Sequence, residues 1–298
     1  MSSKVRPWLL LLSLVLLAAG AGLTPAAEAE PAPTFDDNYV KDWGNLQLVS
    51  QGTEADLTLD QSSGGAGFRS KSLYGSGFFH MRMKVPSGYT AGVVTTFYLT
   101  TQPEEDTTRD EMDLEFLGDK DGVPVRPSPS RPTSSSTASP KSSGCTSGST
   151  PPPTSTTTRS SGTPTNSMFV DDTPVRVLRN LSGTVPGYEF PAKPAMVIRA
   201  SVWDGSAWAT DGGRTKVDRS RGPFTAGYQG FDVSGCASGG GTPCDSPDLW
   251  WNGGEYRGIT DDQRAAYERV RKEHMSYDYC ADKDRFPDRV VPIECSYV

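Results

Sequence analysis

The stretch "RDEMDLEF", Arg109 to Phe116, decides how the chain is read. Glu111, Asp113 and Glu115 alternate with Met112, Leu114 and Phe116. Side chains of a β-strand point alternately to opposite faces, so this pattern predicts one acidic face and one apolar face turned into a core. Three like charges side by side repel one another, a cost that an ordinary solvated strand avoids by mixing charges. A solvated acidic face is the simple alternative, since runs of charge mostly lie on surfaces.

Two chemistries use clustered carboxylates. Calcium prefers oxygen ligands, but the glycine turn of an EF-hand loop is missing here, so no metal is expected. Cleavage of a glycosidic bond needs one carboxylate as nucleophile and one carboxylic acid to protonate the leaving oxygen, about 5–5.5 Å apart when configuration is retained. A carboxylate between them can hydrogen-bond the nucleophile and help separate the two pKa values. Glu111 and Glu115 are about 13 Å apart along an extended strand. The pair therefore works only if the two long side chains lean together on a concave sheet.

The first residues run from Lys4 and Arg6 through an apolar stretch to the small-residue site around Ala27 and Ala29, which reads as a secretory signal over residues 1–29. No later run is long and apolar enough to span a bilayer, so a soluble, exported protein with disulfides is expected. Of five Cys, Cys236 and Cys244 flank a Gly-rich loop, and Cys280 and Cys295 bracket the tail. Two local bridges, with Cys145 left over, are the economical pairing. The net charge of −7 excludes a phosphate-neutralising surface, hence a nucleic-acid partner. With only two His, His80 and His274, a Ser-His-Asp or Cys-His mechanism or a zinc site has little to build on. Asn180-Leu181-Ser182 is a glycosylation sequon.

Short strands punctuated by turns follow the signal. In "FFHMRMKV", Phe79, Met81, Met83 and Val85 share one face, while His80, Arg82 and Lys84 share the other, with His80 expected to be exposed. "GVVTTFYL", Gly92 to Leu99, reads as a strand buried on both faces. "MFVDDTPVRVL" reads as two strands around a turn, and "AMVIRASVW" as a core strand. Thr260 to Gln263 is a capping box ahead of the one credible helix, ending near His274. Many strands with almost no helix predict an all-β sandwich of jelly-roll type with a small disulfide-stapled extension at the C-terminus. Residues 126–167 are rich in Ser, Thr and Pro and lack apolar periodicity, which predicts coil inside a compact domain.

Taken together, "DEMDLEFLG", "GFRSKSLYGSGFFHMRMKV", "ASVWDGSAWAT", "DRSRGPFTA" and the tail "SYDYCADKDRFPDRVVPIEC" resemble the plant xyloglucan endotransglucosylase/hydrolases, retaining glycoside hydrolases of the lichenase clan. The resemblance covers nearly everything except the signal and the middle tract. It implies a jelly-roll domain over residues 30–228 with a concave glucan groove, and an extension over 229–298. It further implies a nucleophile at Glu111, a helper at Asp113 and an acid/base at Glu115, acting by double displacement without a cofactor. Xyloglucan would be donor, xyloglucan or an oligosaccharide acceptor, and the enzyme a monomer of the cell wall. Tyr98, Trp203 and Trp208 suit sugar faces because pyranose C–H groups are apolar, although core packing suits Trp203 equally. Gly212 matches a position where backbone nears the glucan, and Arg285 one near the acceptor.

The sequence departs from the family pattern at Arg109, Asp211 and Arg219, where His, Arg and Trp are usual. Substrate choice is accordingly less fixed than reaction class. A mixed-linkage β-glucan hydrolase and a catalytically impaired wall-binding protein are the competing functions. Permissible codons for residues 148–167, read one base earlier, restore aromatic and aliphatic residues that look like the family's strands. Residues 126–167 are therefore expected to be a frame-shifted translation, coiled in the fold and leaving sheet edges bare.

Overall fold

The computed structural model describes residues 32–101, 110–120, 126–129, 156–161, 165–181, 184–186, 188, 195–256, 258–275 and 277–296; for 126–129, 156–161, 165–166 and 287 it gives the backbone alone. The signal segment, Arg109 and Cys145 lie outside the described residues.

A short helix α1 (Phe35–Asn38) leads into β1 (Tyr39–Val49), β2 (Glu54–Leu59), the long β3 (Gly65–Lys84), β4 (Val93–Thr100), β5 (Glu111–Leu117) and β6 (Arg126–Pro129). Then come β7 (Thr156–Ser161), β8 (Thr165–Val170), β9 (Thr173–Arg179), β10 (Met196–Asp204), β11 (Phe224–Gln229), β12 (Ser234–Ala237) and helix α2 (Asp261–His274). All pairings are antiparallel. The first part of β3 lies in a front layer ordered β1-β3-β10-β4-β5-β6, and its second part in a back layer with β11, β12 and β7, the latter continuing to β8 and β9. This is the expected sandwich.

The two layers bury one continuous core. Phe68, Ile198, Phe97, Leu114 and Phe116 come from the front, and Met81, Met83, Leu57 and Tyr228 from the back. Phe35, Tyr39 and Phe231 close one end by edge-to-face contacts with Phe68. The strand at Gly92–Leu99 is buried on both faces apart from a half-buried Tyr98. Helix α2 starts at the capping box, with Gln263 donating its backbone N–H to Thr260 Oγ1 at 3.2 Å and accepting from the Thr260 backbone at 2.9 Å.

The C-terminal segment carries both disulfides, Cys236–Cys244 and Cys280–Cys295. Its Trp251 is buried and donates to Ser76 Oγ at 3.0 Å, and the Tyr279 hydroxyl accepts from Arg176 Nη2 of β9 at 2.9 Å. Both contacts seat the segment on the sandwich, and α2 packs against β9.

Two expectations are corrected. The 126–167 tract is not wholly coil: it contributes β6, β7 and the start of β8, which cover the edges of β5 and the second half of β3. Backbone pairing requires no apolar side chain, and the Thr run at 156–158 has β-branched residues that suit a strand. His80 is not fully exposed, because its ring meets Asp232 at 2.8 Å and packs near Phe78.

Candidate active site

Strand β5 brings the three acids to one face. Met112, Leu114 and Phe116 anchor its other face in the core, so a one-residue slip in register would turn the carboxylates into the apolar core between the layers. Opposite them on β4 stand Thr100 beside Glu111, Tyr98 beside Asp113 and Thr96 beside Glu115. Strand β10 adds Val197, Arg199, Ser201 and Trp203 to the same face, and β3 adds Gly65, Gly67 and Arg69. The hydroxyls of Thr96 and Ser201 bond each other at 2.7 Å beneath this surface. Below them the buried Tyr228 hydroxyl donates to the Ser201 carbonyl at 3.1 Å, locking the two layers in register behind the site.

Electrostatics separates the acids. Burial first, and the Glu111 carboxylate second, push the Glu115 carboxyl up to about 7. Glu115 is thus protonated in weakly acidic solution while remaining close enough to Glu111 to feel its charge. Glu111 is itself buried, on the same face. One carboxyl that can hold a proton beside another on a common face is the pairing that acid-assisted displacement at an acetal carbon requires.

The other expected residues are placed as follows. Tyr98 and Trp203 line the acidic face, both half-buried, and the Trp203 ring lies 6.3 Å from that of Trp208, so Trp203 is not a core residue. Gly212 is exposed with φ +65 and open space where a Cβ would stand. Arg285 lies in the C-terminal segment, donating to the Tyr277 hydroxyl at 3.4 Å. Asn180 follows β9 and is half-buried.

Two of the three departures from the family pattern, Asp211 and Arg219, have local explanations. Asp211 is matched by Lys120 at 2.7 Å and accepts from Thr215 Oγ1 at 2.6 Å, and these bonds hold its carboxyl below the usual range. The Arg219 guanidinium donates to the carbonyls of Asp60 and Ser63 and to Asp204 Oδ2, each at 2.8 Å. Arg219 therefore ties the turn before β3 to the end of β10 with polar bonds where a Trp would use apolar area.

Four front-face residues escaped the sequence reading: Asp42, Trp43, Arg69 and Arg199. Asp42 Oδ2 accepts from Arg199 Nη1 at 2.8 Å, and Asp42 Oδ1 lies 3.4 Å from Arg69 Nε. A usable signal existed in "VIRASVW", where Arg199, Ser201 and Trp203 alternate with the core residues Ile198, Ala200 and Val202. For Trp43 no local pattern gave it, because β1 is irregular at that point.

Comparison with known proteins gives the family. The profile for glycosyl hydrolases family 16 matches residues 35–126 and 164–221, and that for the xyloglucan endo-transglycosylase C-terminus matches residues 245–295. Putative xyloglucan endotransglucosylase/hydrolase protein 1 of Arabidopsis thaliana is 42% identical over 267 residues, 88% of this chain and 86% of its own length. The chain belongs to the xyloglucan endotransglucosylase/hydrolase family. Xyloglucan endotransglucosylase/hydrolase protein 3 of the same plant is 39% identical over 274 residues, 88% of each chain. Among solved structures, the apo Crh5 transglycosylase superposes with a TM-score of 0.49 at 22% identity, covering 67% of this chain and 79% of that one. A Bacillus licheniformis beta-glucanase gives 0.44 at 20% identity, covering 64% and 89%. Membership of the family also marks a break, since the family 16 profile skips residues 127–163.

Proposed function

We propose that the chain is an exported enzyme that cleaves the β-1,4-glucan backbone of xyloglucan with retention and passes the glycosyl unit to an acceptor chain or to water. The observation that carries this reading is Glu115, raised to about 7 by burial and by Glu111 on the same face. In the first step the Glu111 carboxylate attacks C1 of the sugar while Glu115 delivers its proton to the departing oxygen. A glycosyl ester forms on Glu111 and the glycosidic C–O bond breaks. In the second step an acceptor hydroxyl, or water, attacks C1, its proton passes to Glu115, and Glu111 leaves as carboxylate. Asp113, between the two on the same face, orients the nucleophile.

Tyr98, Trp203 and Trp208 are read as stacking surfaces for sugar rings, Gly212 as a point of close backbone approach and Arg285 as an acceptor-side contact. A monomer of the cell wall, glycosylated at Asn180, with domains over 30–228 and 229–298 completes the proposal. The relatives are named xyloglucan endotransglucosylase/hydrolases, which supports the substrate.

The test is chain-length analysis of xyloglucan with and without an added xyloglucan oligosaccharide, using the wild type and Glu111→Gln. Redistribution of chain length that needs the acceptor, lost in Glu111→Gln with glucan binding kept, is expected. Cutting confined to mixed-linkage β-glucan would refute the substrate. One observation favours a second reading: the family 16 profile omits residues 127–163, so the protein as encoded could hold glucan without turning it over. Binding with no activity in the wild type selects that reading.

A further inference from the structure

Strand β1 crosses the front layer irregularly. Its register pairs Lys41 with Phe68 and Trp43 with Gly67, leaving Asp42 as the extra residue of a bulge. Bulges re-aim side chains, and this one sends the Asp42 carboxylate to Arg69 on β3 and to Arg199 on β10. The bulge is thereby clamped across two neighbouring strands, and the next side chain, Trp43, is fixed in direction.

That direction is onto the acidic face. A Cβ built on Gly67 would meet Trp43 Nε1 at 2.5 Å and Cε2 at 3.1 Å, so the indole lies directly over the glycine where no side chain competes. Trp43 nevertheless remains 41% exposed. The register puts Glu115, Thr96, Ser201, Gly67 and Trp43 in one row running across the strands. Between the acid and the indole the row itself contributes only the short, buried side chains of Thr96 and Ser201 and a glycine, so none of its own residues there is bulky. With strands ~4.8 Å apart, the indole over β3 lies about 14 Å from the β5 backbone at Glu115.

We propose that Trp43 is a distal sugar-binding platform, occupied by a pyranose ring of the same β-glucan chain that reacts at Glu111 and Glu115, several residues away from the bond being cut. The inference rests on the glucan-active reading of the front face and assigns that site its extent. An indole offers a flat apolar surface to the C–H face of a pyranose, while the adjacent guanidinium groups of Arg69 and Arg199 supply donors to sugar hydroxyls. Asp42 acts as a positioning residue, holding the bulge and both guanidinium groups.

Binding is measured by calorimetry on the full chain carrying Glu111→Gln, with xyloglucan polymer, mixed-linkage β-glucan, and a short and a long cello-oligosaccharide as probes. Adding Trp43→Ala should weaken the polymers and the long oligosaccharide about tenfold and leave the short one unchanged, while Trp43→Phe retains most of the affinity. Gly67→Ala, which drives a methyl into the indole, should reproduce the length-dependent loss; if it does not fold, Trp43→Ala alone decides. In the active enzyme Trp43→Ala should raise KM for long donors or acceptors with kcat kept, the signature of a ground-state contact remote from the reacting bond. Equal losses for short and long probes, or no loss, overturn the platform while leaving the glucan reading intact. If none of the probes binds, both fall together.

Discussion

Replacing Glu115 by Gln tests the assignment of the acid through thermodynamics as well as through rate. Burial, then the neighbouring Glu111, lift this carboxyl from its ordinary 4.5 to about 7. At ~1.4 kcal/mol per pH unit the shift is worth ~3 kcal/mol. Between those two values the folded chain keeps a proton that the unfolded chain has released. The stabilising term is therefore complete below pH ~4.5 and is lost as pH rises through ~7, after which the folded state bears the whole cost of a buried charge. The amide of the variant cannot ionise. Urea unfolding from pH 4 to 8.5 should show the stability of Glu115→Gln relative to wild type rising by about 3 kcal/mol across that window, even as activity falls on the order of a hundredfold or more. Removing Glu111 withdraws the smaller of the two causes. In Glu111→Gln the same window should move part of the way back towards pH 4.5. A stability difference that stays flat between pH 5 and 8, or that shrinks with rising pH, would refute the reasoning. So would a window unmoved in Glu111→Gln. The wild-type kcat/KM should show a matching alkaline limb near pH 7.

Arg219→Ala removes donors to two carbonyls and to Asp204 and should cost about 2 kcal/mol in urea unfolding with kcat little changed. A loss within experimental error would mean that water replaces the guanidinium. The Cys280–Cys295 bridge spans 15 residues, so Cys280→Ser with Cys295→Ser should destabilise the chain by about 3 kcal/mol, read as a fall in the urea midpoint that reductant, which also opens Cys236–Cys244, at least matches in the wild type. Lys120→Met should return the Asp211 carboxyl towards its ordinary titration, visible in a carboxyl-resolved NMR pH series. Sequencing the transcript across residues 126–167 should reveal compensating frame changes. An in-frame Ser/Thr/Pro tract together with a soluble, active product would reject that origin.

What the sequence determined by itself was whatever is written in local periodicity. The alternation from Glu111 to Phe116 sets strand, buried face and acidic face together, because the period of two admits one arrangement once the apolar side must be covered. The capping box at Thr260 and the close spacing of the paired Cys are likewise short-range, and helix and bridges appear where those residues stand. The tertiary structure decided whatever depends on strands distant in the chain. Glu115 acquires its raised pKa from burial under neighbouring elements, a quantity that no spacing encodes. The tract at 126–167 looked featureless by composition, yet its backbone completes the edges of β3 and β5, since hydrogen-bonding demand at an edge is set by the neighbour and not by the segment's own side chains. Trp43 joins the row of Glu115 only because β1, β3, β10, β4 and β5 lie side by side, and because a bulge at Asp42, clamped by Arg69 and Arg199, turns it over a glycine. Sequence distance carries no trace of that adjacency; packing and register create it.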